Sequence, residues 1–327
     1  MQVLGITLVF LIHLPSLVLS VEPLTIGIGA GLGIAFYYGR CYFMECCNTK
    51  NEINTSNLQN DLEQMVFGQH LATAVVQKAV SAFMKNKDSP KPLTLSFHGL
   101  TGTGKTFISK IIANNMYEKG IASKFVHLFD TALHFPHKEY AARYKEQLQE
   151  WIRGNVTACP RSMFIFSEMD QMPHGVIDAL SPFLKHRDQI DGVSYRKAIF
   201  IFISNSEGEY ITEVALNVKQ EGKRREDIEL NSLENSLRER LFNNKNSGFW
   251  NSMVLKRNLI DYFVPFLPLE FQHVVMCVNA ELKSRGYPEN KKLATRTAEE
   301  LSDFPKDSQI YSSKGCKTVS AKLTMYL

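Results

Sequence analysis

Three sets of residues in this chain have the types and spacing needed to act on a phosphate. The first is Gly99-Leu100-Thr101-Gly102-Thr103-Gly104-Lys105-Thr106, which satisfies G-x-x-x-x-G-K-[ST]. Its glycines let the backbone curl so that successive N–H groups, with a helix N-terminus behind them, face an anion. Lys105 then reaches the β- and γ-phosphates of a nucleoside triphosphate, and the Thr106 hydroxyl ligates Mg²⁺. The second set is Ser167-Glu168, which ends the apolar run Met163-Phe-Ile-Phe166. P-loop hydrolases carry Asp-Glu there, the Asp to hold Mg²⁺ and the Glu to position the attacking water. Glu168 is therefore the candidate base. Ser167 can hydrogen-bond a metal-bound water but brings no negative charge, and losing such an outer-shell partner typically costs about 10–100-fold in metal affinity or activity. Asp170 is a nearby carboxylate, but strand alternation and distance argue against its substituting for the missing Asp. The third is Asn205, directly after a buried run ending at Ser204. An amide at that tip can hydrogen-bond the γ-phosphate or the attacking water.

These residues need a frame that brings strand ends together, and the hydrophobic pattern supplies one. Leu93 to Phe97 reads as a buried strand, and Phe107, Ile108, Ile111, Ile112 and Met116 recur at helical spacing, so the glycine-rich loop joins strand to helix. Lys124–Phe129, Met163–Phe166 and Ala198–Ile203 read as further strands, the last two as continuous apolar runs suited to the centre of a parallel sheet. Helical patterns span Leu58–Lys85 (broken at Gly68), His137–Gly154 and Gly175–Leu184. Alternating strands and helices predict an α/β fold with ligand at the strand carboxyl ends. Pro265 and Pro268 within Leu259–Leu269 read as a hinge, and the helical periodicity beyond it as a small second domain. The expected divisions are 1–20, 21–56, 57–256 and 257–327.

The chain of 327 residues carries a net charge of +4 spread along its length, which gives no argument for nucleic acid. Met1 to Gly39 contains no Lys or Arg and only Glu22 as an acid. An apolar stretch from Val3 to Leu19, followed by Ser20, reads as a cleaved secretory signal in preference to a membrane anchor. The next apolar stretch, Leu24 to Tyr38, would reach about 22 Å as a helix, less than the ~30 Å hydrocarbon core. Peripheral entry into one leaflet fits it better than spanning, with a buried segment of a soluble fold as the alternative. Secretory entry would make Asn54-Thr-Ser and Asn155-Val-Thr glycosylation acceptors and expose the six cysteines to an oxidising lumen. No C-x-x-C pair occurs, which argues against a zinc site.

One family shares an ordered series of these segments: Phe67-Gly-Gln-His70, Thr101-Gly-Thr-Gly-Lys105, Val126-His-Leu-Phe129, Leu133-His-Phe-Pro-His137, Trp151-Ile-Arg-Gly-Asn155, Phe242 to Trp250 (FNNKNSGFW), Asn258-Leu-Ile-Asp-Tyr-Phe263 and Gly315-Cys-Lys317. From about Val21 to Cys316 the chain resembles the torsins, AAA+ ATPases of the endoplasmic reticulum lumen and nuclear envelope. The resemblance implies a P-loop AAA+ parallel sheet flanked by helices, with a small C-terminal helical domain. It also implies use of ATP and Mg²⁺, with Lys317 reaching the nucleotide as sensor 2 and Asn205 as sensor 1. Cys277 and Cys316 match the pair that forms a redox-sensitive disulfide; the residues alone leave both open as inert core thiols. It further implies homo- or hetero-oligomers and a membrane-anchored activator with an AAA+-like luminal domain that supplies the arginine finger. The chain departs from the pattern twice: Thr106 stands where torsins usually have Asn, and Ser167 where they have Asp. The second departure keeps a rival reading open, an ATP-binding scaffold without turnover.

Overall fold

A computed structural model describes residues 45–47, 55–302, 305 and 310–327. The candidate signal segment, the apolar stretch 24–38 and the sequon at Asn54 lie outside them. The chain divides into two compact units, Met1–Cys46 and Cys47–Leu327, and the second holds the sheet and every candidate site residue that is described.

Two helices, α1 (Thr55–Met65) and α2 (His70–Lys85), precede the sheet. They part at Gly68, where φ is 67° and a Cβ would sit 2.7 Å from the His273 ring. Then follow β1 (Leu93–His98), α3 (Lys105–Met116), β2 (Val126–Asp130), α4 (Ala141–Ala158), β3 (Met163–Ser167), β4 (Ile199–Ser204), α5 (Gly208–Gln220), α6 (Leu230–Asn243) and β5 (Tyr262–Pro265). All five strands are parallel, in the order β2-β3-β4-β1-β5. Alternation divides their side chains cleanly. Leu95, Phe97, Ile165, Ile201 and Ile203 face α1, α2 and α3. Phe164, Phe166, Phe200 and Phe202 face α4 and the segment 172–198. The aromatic side is stacked, with ring centroids 4.9 Å apart for Phe164–Phe200 and 5.5 Å for Phe166–Phe202.

Two expectations are corrected. Tyr262–Pro265, read as part of a hinge because of its prolines, is the edge strand β5 paired to β1. An edge position accommodates proline because one side of the strand has no ladder to feed. The sheet therefore runs past the expected boundary at 256. The helix expected over Gly175–Leu184 is only a short 3₁₀ segment, Val176–Leu180.

Beyond β5, a small ladder of β6 (Leu269–Glu270) and β7 (Tyr311–Ser312) accompanies α7 (Phe271–Ser284), α8 (Lys291–Leu301) and α9 (Val319–Thr324). Val274, Val278, Leu282, Ala294, Ala298 and Leu323 form their own core. Two disulfides are present among the described residues. Cys277–Cys316 ties α7 to the turn before α9, and Cys47–Cys159 ties the segment ahead of α1 to the end of α4. No helix among the described residues is long and apolar enough to cross a membrane.

Candidate functional site

The carboxyl ends of β1, β4 and β3 lie side by side, and the loops leaving them carry the expected site residues. After β1 the loop turns through Gly99, Gly102 and Gly104, all at positive φ, and Gly104 stands before α3 with no side chain capping the helix. A Cβ at Gly104 would meet nothing within 4 Å, so the first turn of α3 opens onto free space. That is an anion cradle: unsatisfied N–H groups at a helix start with room in front of them. Thr106 is exposed on this first turn.

Lys105 is buried, and its ammonium donates to the carbonyls of Gly99 (2.6 Å) and Leu100 (2.7 Å). Burial pushes its pKa down from 10.5 to about 7; Asp170 works against that fall and Lys317 adds to it. A buried lysine behind an open helix start suits a polyphosphate. Just behind the loop, His98 ends β1 fully buried, its Nε2 2.6 Å from Ser96 Oγ. Burial first, and Lys105 second, hold its pKa near 3, so the imidazole is neutral.

Glu168 follows β3 with φ of 55°, an uncommon conformation for a non-glycine residue, and its side chain is exposed. The Thr131 hydroxyl donates to its backbone carbonyl, so the turn is pinned to the end of β2. The neighbouring Ser167 hydroxyl donates to Phe129 O at 3.2 Å, towards β2. Asp170, which strand alternation and distance argue against as a substitute for the missing Asp, reaches the tip of β4. Its Oδ1 accepts from the Asn205 main-chain N–H (3.1 Å) and from Ser204 Oγ (3.3 Å). The short turn Met169–Gln171 reverses the chain after β3, and strand alternation stops applying there. Asn205 stands exposed at the tip of β4, between the strands that carry the P-loop and Glu168.

The helical C-terminal region meets the P-loop on one side. Cys316 N–H donates to Gly102 O at 3.0 Å, which brings the Lys314–Lys317 turn onto the loop. Lys317 itself is exposed. Sequence reasoning missed Gln69, buried with Nε2 donating to Thr103 O (3.0 Å) and Leu267 O (2.8 Å) while Oε1 accepts from Leu267 N. It bridges the P-loop to the chain leaving β5. The signal was in hand, since Gln69 lies in the quoted segment Phe67–His70. Also missed was the 244–250 loop, whose Gly248 N–H donates to Met169 O and whose Asn244 amide donates to Glu207. Of the sequons, Asn155 lies near the end of α4, its amide donating to Trp151 O.

Residues 41–166 match the family model described as Torsin, and residues 269–326 match that of the Torsin-1A C-terminal domain, together more than half of the chain. Among solved structures, a closed-state cryo-EM reconstruction of Hsp104 with ATPγS and FITC casein aligns with a TM-score of 0.58 at 17% identity, over 83% of this chain and 46% of that one. The S. cerevisiae Hsp104–ADP complex gives 0.58 at 18% identity, with the same coverage. At these identities the likeness is one of fold, and the chain spans less than half the length of either Hsp104 chain. The fold is that of P-loop AAA+ proteins: a five-stranded parallel sheet flanked by helices, with a helical C-terminal region.

Proposed function

This chain belongs to the torsin family, and on that premise we propose that it is an ATPase that binds ATP with Mg²⁺ and hydrolyses it when an activating partner completes the site. The observation that carries this reading is the convergence of the Lys105 loop, Glu168, Asn205 and the Lys317 turn on one end of the sheet. Gly99–Thr106 would hold the phosphates through main-chain N–H groups and Lys105, and Thr106 would offer its hydroxyl to the metal. Bound Mg²⁺ supplies neutralisation of charge on the β- and γ-phosphates. Glu168 orients the attacking water and accepts its proton, Asn205 hydrogen-bonds the γ-phosphate, and Lys317 reaches it from the small domain. The arginine finger comes from a membrane-anchored luminal activator in a homo- or hetero-oligomeric assembly. The setting is the luminal face of the endoplasmic reticulum and nuclear envelope, with peripheral lipid association through residues 24–38 and glycans at Asn54 and Asn155. Remodelling of membranes or protein complexes is the output. The Cys277–Cys316 bridge would make nucleotide affinity sensitive to redox state through the turn it anchors.

A second reading is favoured by one observation. Ser167 brings no carboxylate to that position for the metal, and its hydroxyl donates to Phe129 O. In this reading the protein binds ATP without turnover and serves as a scaffold or regulatory subunit. Turnover measured with and without an activating luminal domain, beside Glu168→Gln and Ser167→Asp variants, separates the two. Activator-dependent hydrolysis by the wild type that Glu168→Gln abolishes supports the ATPase. Hydrolysis gained only in Ser167→Asp supports the scaffold.

A further inference from the structure

Asn205 has both ends of its peptide tied down while its side chain stays available. Its N–H donates to Asp170 Oδ1 at 3.1 Å, and its C=O accepts from Gly208 N–H at 3.1 Å. The same carboxylate oxygen accepts from Ser204 Oγ, and Ser204 Oγ in turn accepts from Ser206 N–H at 3.0 Å. Residues 204–206 are thus a turn gathered around one oxygen that comes from the neighbouring strand's loop. Gly208 anchors the other side, packed so closely on the P-loop that a Cβ would sit 2.7 Å from Leu100 N. The Asn205 amide has no hydrogen-bond partner of its own among the described residues. A charge-assisted bond to a main-chain N–H is among the stronger hydrogen bonds available to a turn. This one links the end of β3, where Glu168 sits, to the tip of β4.

We infer that Asp170 is a positioning residue that sets Asn205 at the γ-phosphate position by accepting from its main-chain N–H. The inference rests on the ATP reading above and assigns Asp170 a role at the same site. The carboxylate acts through Asn205 as a hydrogen-bond acceptor, and an asparagine at 170 offers the same acceptor oxygen without the charge. Discrimination between a triphosphate and a diphosphate is the property it controls, because Asn205 addresses only the third phosphate.

The test is the ratio of MgATP to MgADP dissociation constants, measured by titration calorimetry on the full chain, with thermal unfolding recorded for every variant. Asp170→Ala is expected to lower the preference for MgATP over MgADP about tenfold. Asp170→Asn is expected to keep the wild-type ratio. The double variant Asp170→Ala/Asn205→Ala is expected to match Asn205→Ala alone, since both remove one interaction. Equal ratios in the wild type and Asp170→Ala, additive losses in the double variant, or an Asp170→Asn protein that behaves like Asp170→Ala would overturn the inference and leave the ATP reading standing. A wild type that binds neither nucleotide overturns the ATP reading and the inference with it.

Discussion

The main-chain N–H of Cys316 donates to the carbonyl of Gly102 at 3.0 Å, so the turn that carries Lys317 rests directly on the phosphate-binding loop. Glycine is required on both sides of the contact. A Cβ at Gly102 would lie 1.8 Å from Lys314 O, and one at Gly315 would lie 2.3 Å from Gly102 O. Gly315 also has φ of 52°, which penalises any side chain.

Gly315→Ala should therefore lift the turn from the loop and weaken nucleotide binding about tenfold, a change of ~1.4 kcal/mol. Calorimetric titration with MgADP reads this directly. The disulfide Cys277–Cys316 holds the same turn to α7, so the wild type should change nucleotide affinity on reduction while Cys277→Ser is indifferent to reductant. An affinity that reductant leaves untouched would separate the disulfide from the loop.

Lys105 gives a pH dependence with a definite sign. Its pKa in the folded protein is about 7, below the ordinary 10.5. Between those values the folded protein has released a proton that the unfolded chain retains, so stability without nucleotide rises with pH across that window. Binding runs the other way, because phosphates favour the charged ammonium. Above pH 7 binding must take up a proton, and affinity should fall by up to about tenfold per pH unit. Titrations at pH 8.5 in two buffers of different ionisation enthalpy would reveal the uptake as a difference in apparent heat. Identical heats would show that Lys105 is already charged.

The bridge between Cys47 and Cys159 closes a loop over a sequence separation of 112. Loop-closure entropy for a span of this length is worth about 4–5 kcal/mol. Cys47→Ser leaves the buried Cys159 thiol in place and should lower the unfolding temperature by on the order of 5–10 °C, with nucleotide affinity unchanged in the folded protein. A scan showing no shift would mean that the segment ahead of α1 contributes nothing to the unfolding unit.

Much of this architecture can be read in the residues themselves. Apolar runs placed four of the five sheet strands, since continuous burial leaves little else for Met163–Phe166 or Ile199–Ile203 to be. The fifth was hidden because Pro265 and Pro268 signal a break, and only its edge position reconciles proline with pairing. The P-loop, Glu168 and Asn205 were legible because strand-end position follows from the strands. Asp170 was not: it depends on how the chain turns after Glu168, and the φ of 55° that starts this turn has no signature in sequence. Gln69 and the 244–250 loop act over separations of 34 and about 80 residues from their partners in the site. The Cys47–Cys159 pairing, similarly, follows from topology and not from spacing.

The loop containing Gly248 offers a way to disturb Glu168 without touching it. Gly248 N–H donates to Met169 O at 3.1 Å, and a Cβ there would lie 2.1 Å from the same oxygen and 3.0 Å from Met172 Cβ. Gly248→Ala must push the Met169 turn, and Glu168 and Asp170 flank that residue on either side. Overpacking of this kind costs about 1–3 kcal/mol, and its effect should fall on the water-orienting carboxylate more than on the phosphate loop across the sheet. The expected result is a kcat about tenfold lower with MgADP affinity within about twofold of wild type. Gly154→Ala is the matched control: it sits in α4, and a Cβ there meets nothing within 4 Å. Equal turnover in Gly248→Ala and Gly154→Ala would show that the turn tolerates displacement and that Glu168 is not held by this packing.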